Sequence, residues 1–413
     1  MSSPYASFQY PDFKNFIFAR FCVTLAIQVQ ATVVGWQLYE ITKDPLSLGL
    51  IGLAEAAPSI AVSLYAGHVA DVVNRKRIVM VTVAVLLLCS IALLALASHA
   101  ALLHTRFGAG PIYATIFVSG IARGFLAPAN FSLLPQLVPR ALFANAVSLN
   151  SSFWQAAAIG GPMLAGMVYA GLGIQAAYLF DVALVLAALV LYTRVTNPPL
   201  PPPTGELGVR RKIKAGLKFV FNNQIILSAI TLDLFAVLFG GAVALLPVFA
   251  SDILFVGKFE FGVLRAAPGI GALLTAIYIT HHPVRRRVGQ VLLWAVAGFG
   301  LTMIGFGLSK LYWLSVLLLL LSGMFDSVSV IIRSTLIQTL TPENMKGRVA
   351  AVNNIFIGSS NELGALESGV AAKLLGVVPA VVAGGHVTLL VVGITAWKAD
   401  KLRRLNSVEE AVV

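Results

Sequence analysis

The chain has 413 residues, of which 58% are hydrophobic and only 11% charged. A soluble globular protein carries about 25% charged residues, so a soluble enzyme of two or three domains, a disordered chain, a nucleic-acid module and a disulfide scaffold are all excluded. A polytopic membrane protein remains, and its net charge of +12 speaks first of membrane topology, not of an acidic partner.

A helix that crosses a bilayer needs about 20 apolar residues. In chain order such runs occupy 16–40, 46–68, 77–98, 111–137, 145–170, 174–194, 224–249, 260–280, 289–308, 311–338, 350–375 and 378–397. They lack the alternation of a barrel strand, and helices satisfy their own backbone groups in lipid. The fold expected is therefore an all-α membrane protein with twelve transmembrane helices in two pseudo-symmetric six-helix bundles. The segment before the first run is polar and has no cleavable signal pattern, so the first run stays as a span. Twenty Lys and Arg fall in loops on the side of the N-terminus, and only Lys43, Arg106, Lys258 and Lys310 fall on the other. That bias places both termini in the cytoplasm of a plasma (bacterial inner) membrane protein.

The one long connection, 195–223, opens with the Pro-rich stretch from Pro198 to Pro203 and continues as a basic amphipathic segment from Val209 to Asn222, expected on the membrane surface. It divides the chain into an N-terminal bundle, 1–194, and a C-terminal bundle, 224–397, followed by a cytoplasmic tail, 398–413. The halves align on each other. Ser119, Gly120 and Arg123 match Ser322, Gly323 and Asp326 at an offset of 203, which also pairs Pro139 with Pro342 and Asn150 with Asn353. Glu55-Ala56-Ala57-Pro58 matches Arg265-Ala266-Ala267-Pro268 at an offset of 210. Transporters built from such repeats place their substrate site near mid-membrane, at the repeat interface.

After the second span come Gly67, three residues, Asp71, and then Arg75, Lys76 and Arg77. This resembles the loop signature of the major facilitator superfamily, with Val72 and Asn74 departing from it. Gly161, Pro162 and Gly166 in the fifth span resemble the Gly-Pro motif of exporters in that superfamily; small residues and a missing backbone donor let helices approach and bend. The segments Asp233 to Gly240, Ala244 to Ala250, Leu264 to Ala272, Pro342 to Val349 (with Arg348) and Ser359 to Gly364 are similar to the branch of drug and siderophore exporters that contains the enterobactin exporter. The resemblance implies a transport role in which the Gly67–Asp71 loop with its basic residues and Arg348 acts in gating.

Each charge inside a span costs about 2.5–3.5 kcal/mol on insertion scales, so such groups should face a cavity, pair or be neutral. They are Glu55, Arg123, Asp181, Asp233, Arg265, Asp326, Arg333, Glu362 and Glu367. Signs are opposite at the repeat positions, Glu55 against Arg265 and Arg123 against Asp326, which predicts ion pairs across the halves. The resemblance implies that the first, fourth, seventh and tenth spans line the cavity. Arg20, Gln28, Gln30, Trp36, Arg123, Asp233 and Asp326 lie on them, Asp233 and Asp326 being the first candidates for proton coupling and Glu55 the third. Asp181 and Glu367 lie on spans that are more often peripheral. No phosphate-binding Gly-Lys-Ser/Thr loop, nucleophile elbow or metal spacing of His is present.

The expectation is thus a secondary active transporter and not an enzyme: a proton-coupled exporter of an amphipathic drug- or siderophore-type molecule, working by alternating access. It needs no cofactor or metal beyond a proton gradient. Its partners are a small-molecule substrate and the lipid bilayer, with no nucleic acid, and it acts as a monomer. An importer or lysolipid flippase of the same fold, and a non-transporting receptor or sensor, stay open at this point.

Overall fold

The structure, a computed structural model, describes residues 5–99, 108–196, 209–284, 286–342 and 345–407. Among these residues it is helical with no strand. Helices α1 (Pro11–Thr42), α2 (Pro45–Val72), α3 (Arg75–Ser98), α4 (Gly110–Leu133) and α5 (Phe143–Thr193) are followed by the short α6 (Val209–Asn222). Then come α7 (Gln224–Gly240), α8 (Lys258–His281), α9 (Val288–Leu308), α10 (Tyr312–Leu340), α11 (Lys346–Leu375), α12 (Val377–Lys398) and α13 (Asp400–Arg403). Local chemistry sets several boundaries: Pro11 and Pro111 occupy the first turns of α1 and α4, and the Asn74 and Asn223 side chains cap α3 and α7.

Ten helical stretches among the described residues are long and apolar enough to cross a membrane. The runs expected at 145–170 and 174–194 are the two arms of α5, which breaks at Gly173 (φ 87°, ψ 175°). Gly376 (φ 91°, ψ 157°) joins α11 to α12 in the same way, 203 residues further on. This backbone region is open only to glycine, so the duplicated unit turns on the same residue in the same conformation in both copies. The seventh run is not one helix: α7 ends at Gly240, and the chain continues through a 3-10 turn, Ala242–Leu245, and a π-turn, Phe249–Ile253. α11 is 30 residues long but carries Glu362, Glu367 and Lys373 and is not among the ten.

The chain forms two compact units. The first comprises Met1–Lys43, Leu53–Gly205 and Gly257–Ala266; the second comprises Asp44–Gly52, Glu206–Val256 and Ala267–Val413. The core of the first is built from Phe13, Phe16 and Ile17 of α1, Val79 and Val83 of α3, Leu133 of α4 and Tyr192 of α5, all but excluded from solvent. The second has one cluster around Leu232, Leu292, Leu336 and Leu402 and another around Val220, Ile226 and Val349. In the latter, Leu217 and Val220 of the amphipathic segment α6 pack on α7 and α11, and Gly216 lies against the backbone of Arg348. The Pro-rich stretch 198–203 lies outside the described residues.

Close crossings recur in both units. A Cβ on Gly120 of α4 would strike the Glu55 carbonyl and Pro58 of α2, and one on Gly323 of α10 would strike Pro268 of α8. The two motifs matched in sequence therefore touch each other in each copy. Likewise Gly262 of α8 meets α5, where an added Cβ would stand 2.6 Å from the Pro162 carbonyl and 3.1 Å from Gly166 Cα. In the second unit Gly369 of α11 meets Gly49 of α2 at 2.9 Å in the same sense. Small residues of this kind let helix backbones approach in an apolar medium.

Candidate functional site

In the first unit the crossing at Gly120 and Pro58 sets α2 and α4 so that Glu55 and Arg123 share a face. Arg123 Nη1 forms an ion pair with Glu55 Oε1, the two side chains being 14% and 25% exposed. Arg123 Nη2 donates to Gln30 Oε1 of α1 at 3.0 Å, while Arg123 Nε is buried without a hydrogen-bond partner. Arg265 of α8 is half-buried and lies within charge-interaction range of Glu55. Gln28 is one step off this cluster and donates to the Ala158 carbonyl at 3.4 Å, with its Cβ against Gly161, so it ties α1 to α5.

Towards the C-terminal end of α1, Trp36 Nε1 donates to Glu40 Oε1 at 2.7 Å, and its ring packs on Phe261 at 5.2 Å. Lys258 stands 3.5 Å from Glu40 Oε1 and 4.1 Å over the Tyr169 ring, and the Tyr169 hydroxyl donates to Glu40 Oε2 at 3.0 Å. Glu40, Tyr169 and Lys258 were not singled out from sequence, because each sits at the end of an apolar run, where a polar group needs no explanation. Arg20, near the other end of α1, is half-buried beside Tyr192, whose hydroxyl donates to Asn130 Oδ1 at 3.1 Å.

In the second unit Asp233 of α7 and Arg333 of α10 form an ion pair with side chains 7% and 3% exposed. Asp326, two turns earlier on α10, is half-buried and forms no ion pair among the described residues. Asp233 and Asp326 line one small pocket with Phe299, Phe325 and Ser329. Ser329 Oγ is buried there without a hydrogen-bond partner. Glu362 of α11 has its Oε2 beside Gly52, and Ser368 Oγ donates to the Gly241 carbonyl at 3.0 Å, just past the end of α7.

Opposite signs at equivalent positions lead one to expect Arg123 with Asp326 and Glu55 with Arg265, and Arg265 does lie within charge-interaction range of Glu55. The guanidinium of Arg123 is instead held by Glu55 and Gln30 within its own unit, and Asp233 is held by Arg333. Offset identifies positions that correspond, whereas partners are chosen by which helices cross. Gln30 corresponds to Asp233 at the same offset of 203, a signal that would have marked both.

At the foot of the first unit, Arg75 Nη1 donates to the Ser132 carbonyl at 3.1 Å. Lys76 Nζ donates to the Thr193 carbonyl at 3.0 Å and to that of Val195. These carbonyls end α4 and α5, so the basic residues of the loop signature act as helix C-terminal caps. Arg77 is exposed and Arg348 half-buried; the surroundings of Gly67 and the side chain of Asp71 lie outside what is described. Among the described residues no group of three His, Cys, Asp or Glu side chains has the placement to hold a metal ion.

The chain matches the family model of the Major Facilitator Superfamily over residues 16–365. It is similar to the Enterobactin exporter EntS of Shigella boydii serotype 18, with 25% identity over 345 residues covering 82% of this chain and 80% of that relative. For the protein of the same description from Citrobacter koseri the identity is 25% over 381 residues, covering 91% and 89%. Among solved structures, a POT family transporter in complex with a thioalcohol conjugated peptide superposes with a TM-score of 0.75 at 11% identity, covering 94% and 96% of the two chains. A bacterial homologue of the iron transporter ferroportin, in an inward-facing state, gives 0.70 at 16% identity, covering 95% and 98%. At these identities the structures speak for the fold alone.

Proposed function

The chain belongs to the Major Facilitator Superfamily and is a membrane transporter, and on that premise we propose that it is a proton-coupled exporter of an amphipathic small molecule of the siderophore or drug type. The supporting observation is Asp326, a carboxyl inside a span that shares a pocket with the Asp233–Arg333 pair yet has no ion-pair partner among the described residues. Coupling requires a carboxyl that is neutral in one state and charged or paired in another. Asp326 is placed to carry the exchanged proton while Arg333 is engaged by Asp233. Transfer of Arg333 between the two carboxyls would make one of them release its proton as the other takes one. The similarity to enterobactin exporters supports the direction and the size of the cargo.

In this proposal the protein acts as a monomer with twelve crossings and both termini on the cytoplasmic side of the inner membrane. Reporters fused at both ends should read cytoplasmic. The loop from Gly67 to Arg77 gates the cycle, and Asp71→Asn should slow flux without reducing expression. The decisive experiment loads inverted vesicles with a fluorescent amphipathic substrate, with and without an imposed pH gradient. Gradient-driven accumulation that Asp326→Asn abolishes supports the proposal. Flux indifferent to the gradient ends the coupling claim, movement in the opposite sense identifies an importer, and binding with no flux of any ligand identifies a receptor.

A further inference from the structure

Asp181, on the second arm of α5, takes no part in the cycle above. It is 1% exposed. Its carboxyl shares a hydrogen bond with Ser90 of α3, and Oδ2 is buried with no hydrogen-bond partner. No cation lies within ion-pair distance among the described residues. A bare carboxylate in such a place costs several kcal/mol, and one hydroxyl donor does not offset that. The groups that face it are Arg123 from α4, Cys89 from α3 and Tyr178 from α5 itself. The Tyr178 hydroxyl is engaged with Gln37 Oε1 of α1 at 2.5 Å. Arg123 is thus the cation in electrostatic range among the described residues, and its Nε is the one buried donor of that guanidinium left without an acceptor. An unused donor and an unused acceptor of opposite charge stand within interaction range, while the other end of Arg123 is held by Glu55.

We propose that Asp181 is a proton-binding site of the first unit, and that Arg123 is a switch between two carboxyls, Glu55 and Asp181, which hold one proton between them. In the state seen here Arg123 is on Glu55 and the proton is on Asp181. In the alternative state the O–H bond on Asp181 breaks, an O–H bond forms on Glu55, and the guanidinium exchanges one carboxylate for the other. Net charge is unchanged, and the proton moves from a sealed position to one that is 25% exposed.

The inference is tested on protonation and stability, without flux, so it stands or falls apart from the transport proposal. The infrared spectrum of the purified wild-type protein at neutral pH, minus that of Asp181→Asn, should contain the C=O stretch of a protonated carboxyl. Asp181→Glu should move that band, and Glu55→Gln should remove it, because Arg123 then ionises Asp181. Thermal melting gives a second readout: Asp181→Asn and Glu55→Gln should each lower the melting temperature slightly, and the double variant by much more than the sum. No protonated-carboxyl band in the difference spectrum, a band that persists in Glu55→Gln, or strictly additive melting shifts would each overturn the switch.

Discussion

The first unit holds Arg123 between Glu55 and Gln30 with the pair partly open, side chains 14% and 25% exposed, while the second seals Arg333 against Asp233 at 3% and 7%. The two clusters are built on corresponding helices and crossings, Gly120 on Pro58 and Gly323 on Pro268, yet their charges differ. Gln30, Glu55 and Arg123 in one copy correspond to Asp233, Arg265 and Asp326 in the other. Backbone approach and charge therefore vary separately. A close crossing tolerates only glycine or proline at its centre, whereas the charged positions around it are free to change sign provided that some partner lies in reach. The second unit pairs Asp233 with Arg333, two turns along α10 from Asp326, which has no ion-pair partner among the described residues.

The difference in burial predicts a difference in fragility. Arg333→Ala should cost about 3–5 kcal/mol, as breaking a buried pair leaves the Asp233 charge uncompensated. The double variant Arg333→Ala/Asp233→Ala should recover much of the melting temperature; failure to recover would mean that packing, not charge, dominates there. The crossings come next. Gly166→Leu and its counterpart Gly369→Leu should each cost about 1–3 kcal/mol through overpacking. A loss at one and not the other, seen in thermal unfolding, would break the equivalence of the two copies.

Glu55→Gln should cost less, about 1.5 kcal/mol or below, because a charged hydrogen bond of the usual ~1.5–3 kcal/mol is weakened here by solvent access. If its melting shift matched that of Arg333→Ala, the contrast between open and sealed clusters would be lost. The smallest effect is expected at Asp44, where a hydrogen bond from Lys373 holds the carboxyl below its usual range. Its folded value lies below the unfolded one, so its contribution is complete above the unfolded value and is lost as pH falls through the lowered one, below about pH 4. With both side chains about one-third to one-half exposed, the pair is worth under about 1 kcal/mol. Lys373→Met should flatten that acid-side slope in a melting temperature versus pH series and change little at neutral pH.

The helices were legible because 20 apolar residues in a row have few other uses, and the duplication because Gly120, Gly323, Pro58 and Pro268 keep their spacing. The partners of the charges were less legible. Arg123 and Asp326 invite pairing on paper, but the crossing one turn away at Gly120 already commits Arg123 to α2. Asp181 drew little attention because its helix is of a peripheral kind, and nothing local to residue 181 announces the Arg123 donor on another helix. The amphipathic face of α6 signals that an apolar surface is near, and Gly216 against Arg348 shows that part of the helix packs on protein.

The glycine joints at Gly173 and Gly376 have a consequence for how the chain is made. With φ near 90° at one residue, each joint turns one helix directly into the next and leaves no loop between the two arms. The last turn before Gly376 holds Lys373, but neither joint adds a connector to be threaded across. Each pair of arms is therefore suited to enter the bilayer together as a helical hairpin with the glycine at its tip. A tag or protease site placed at 173 or 376 would have no loop to occupy and would part the hairpin before the bundle had formed.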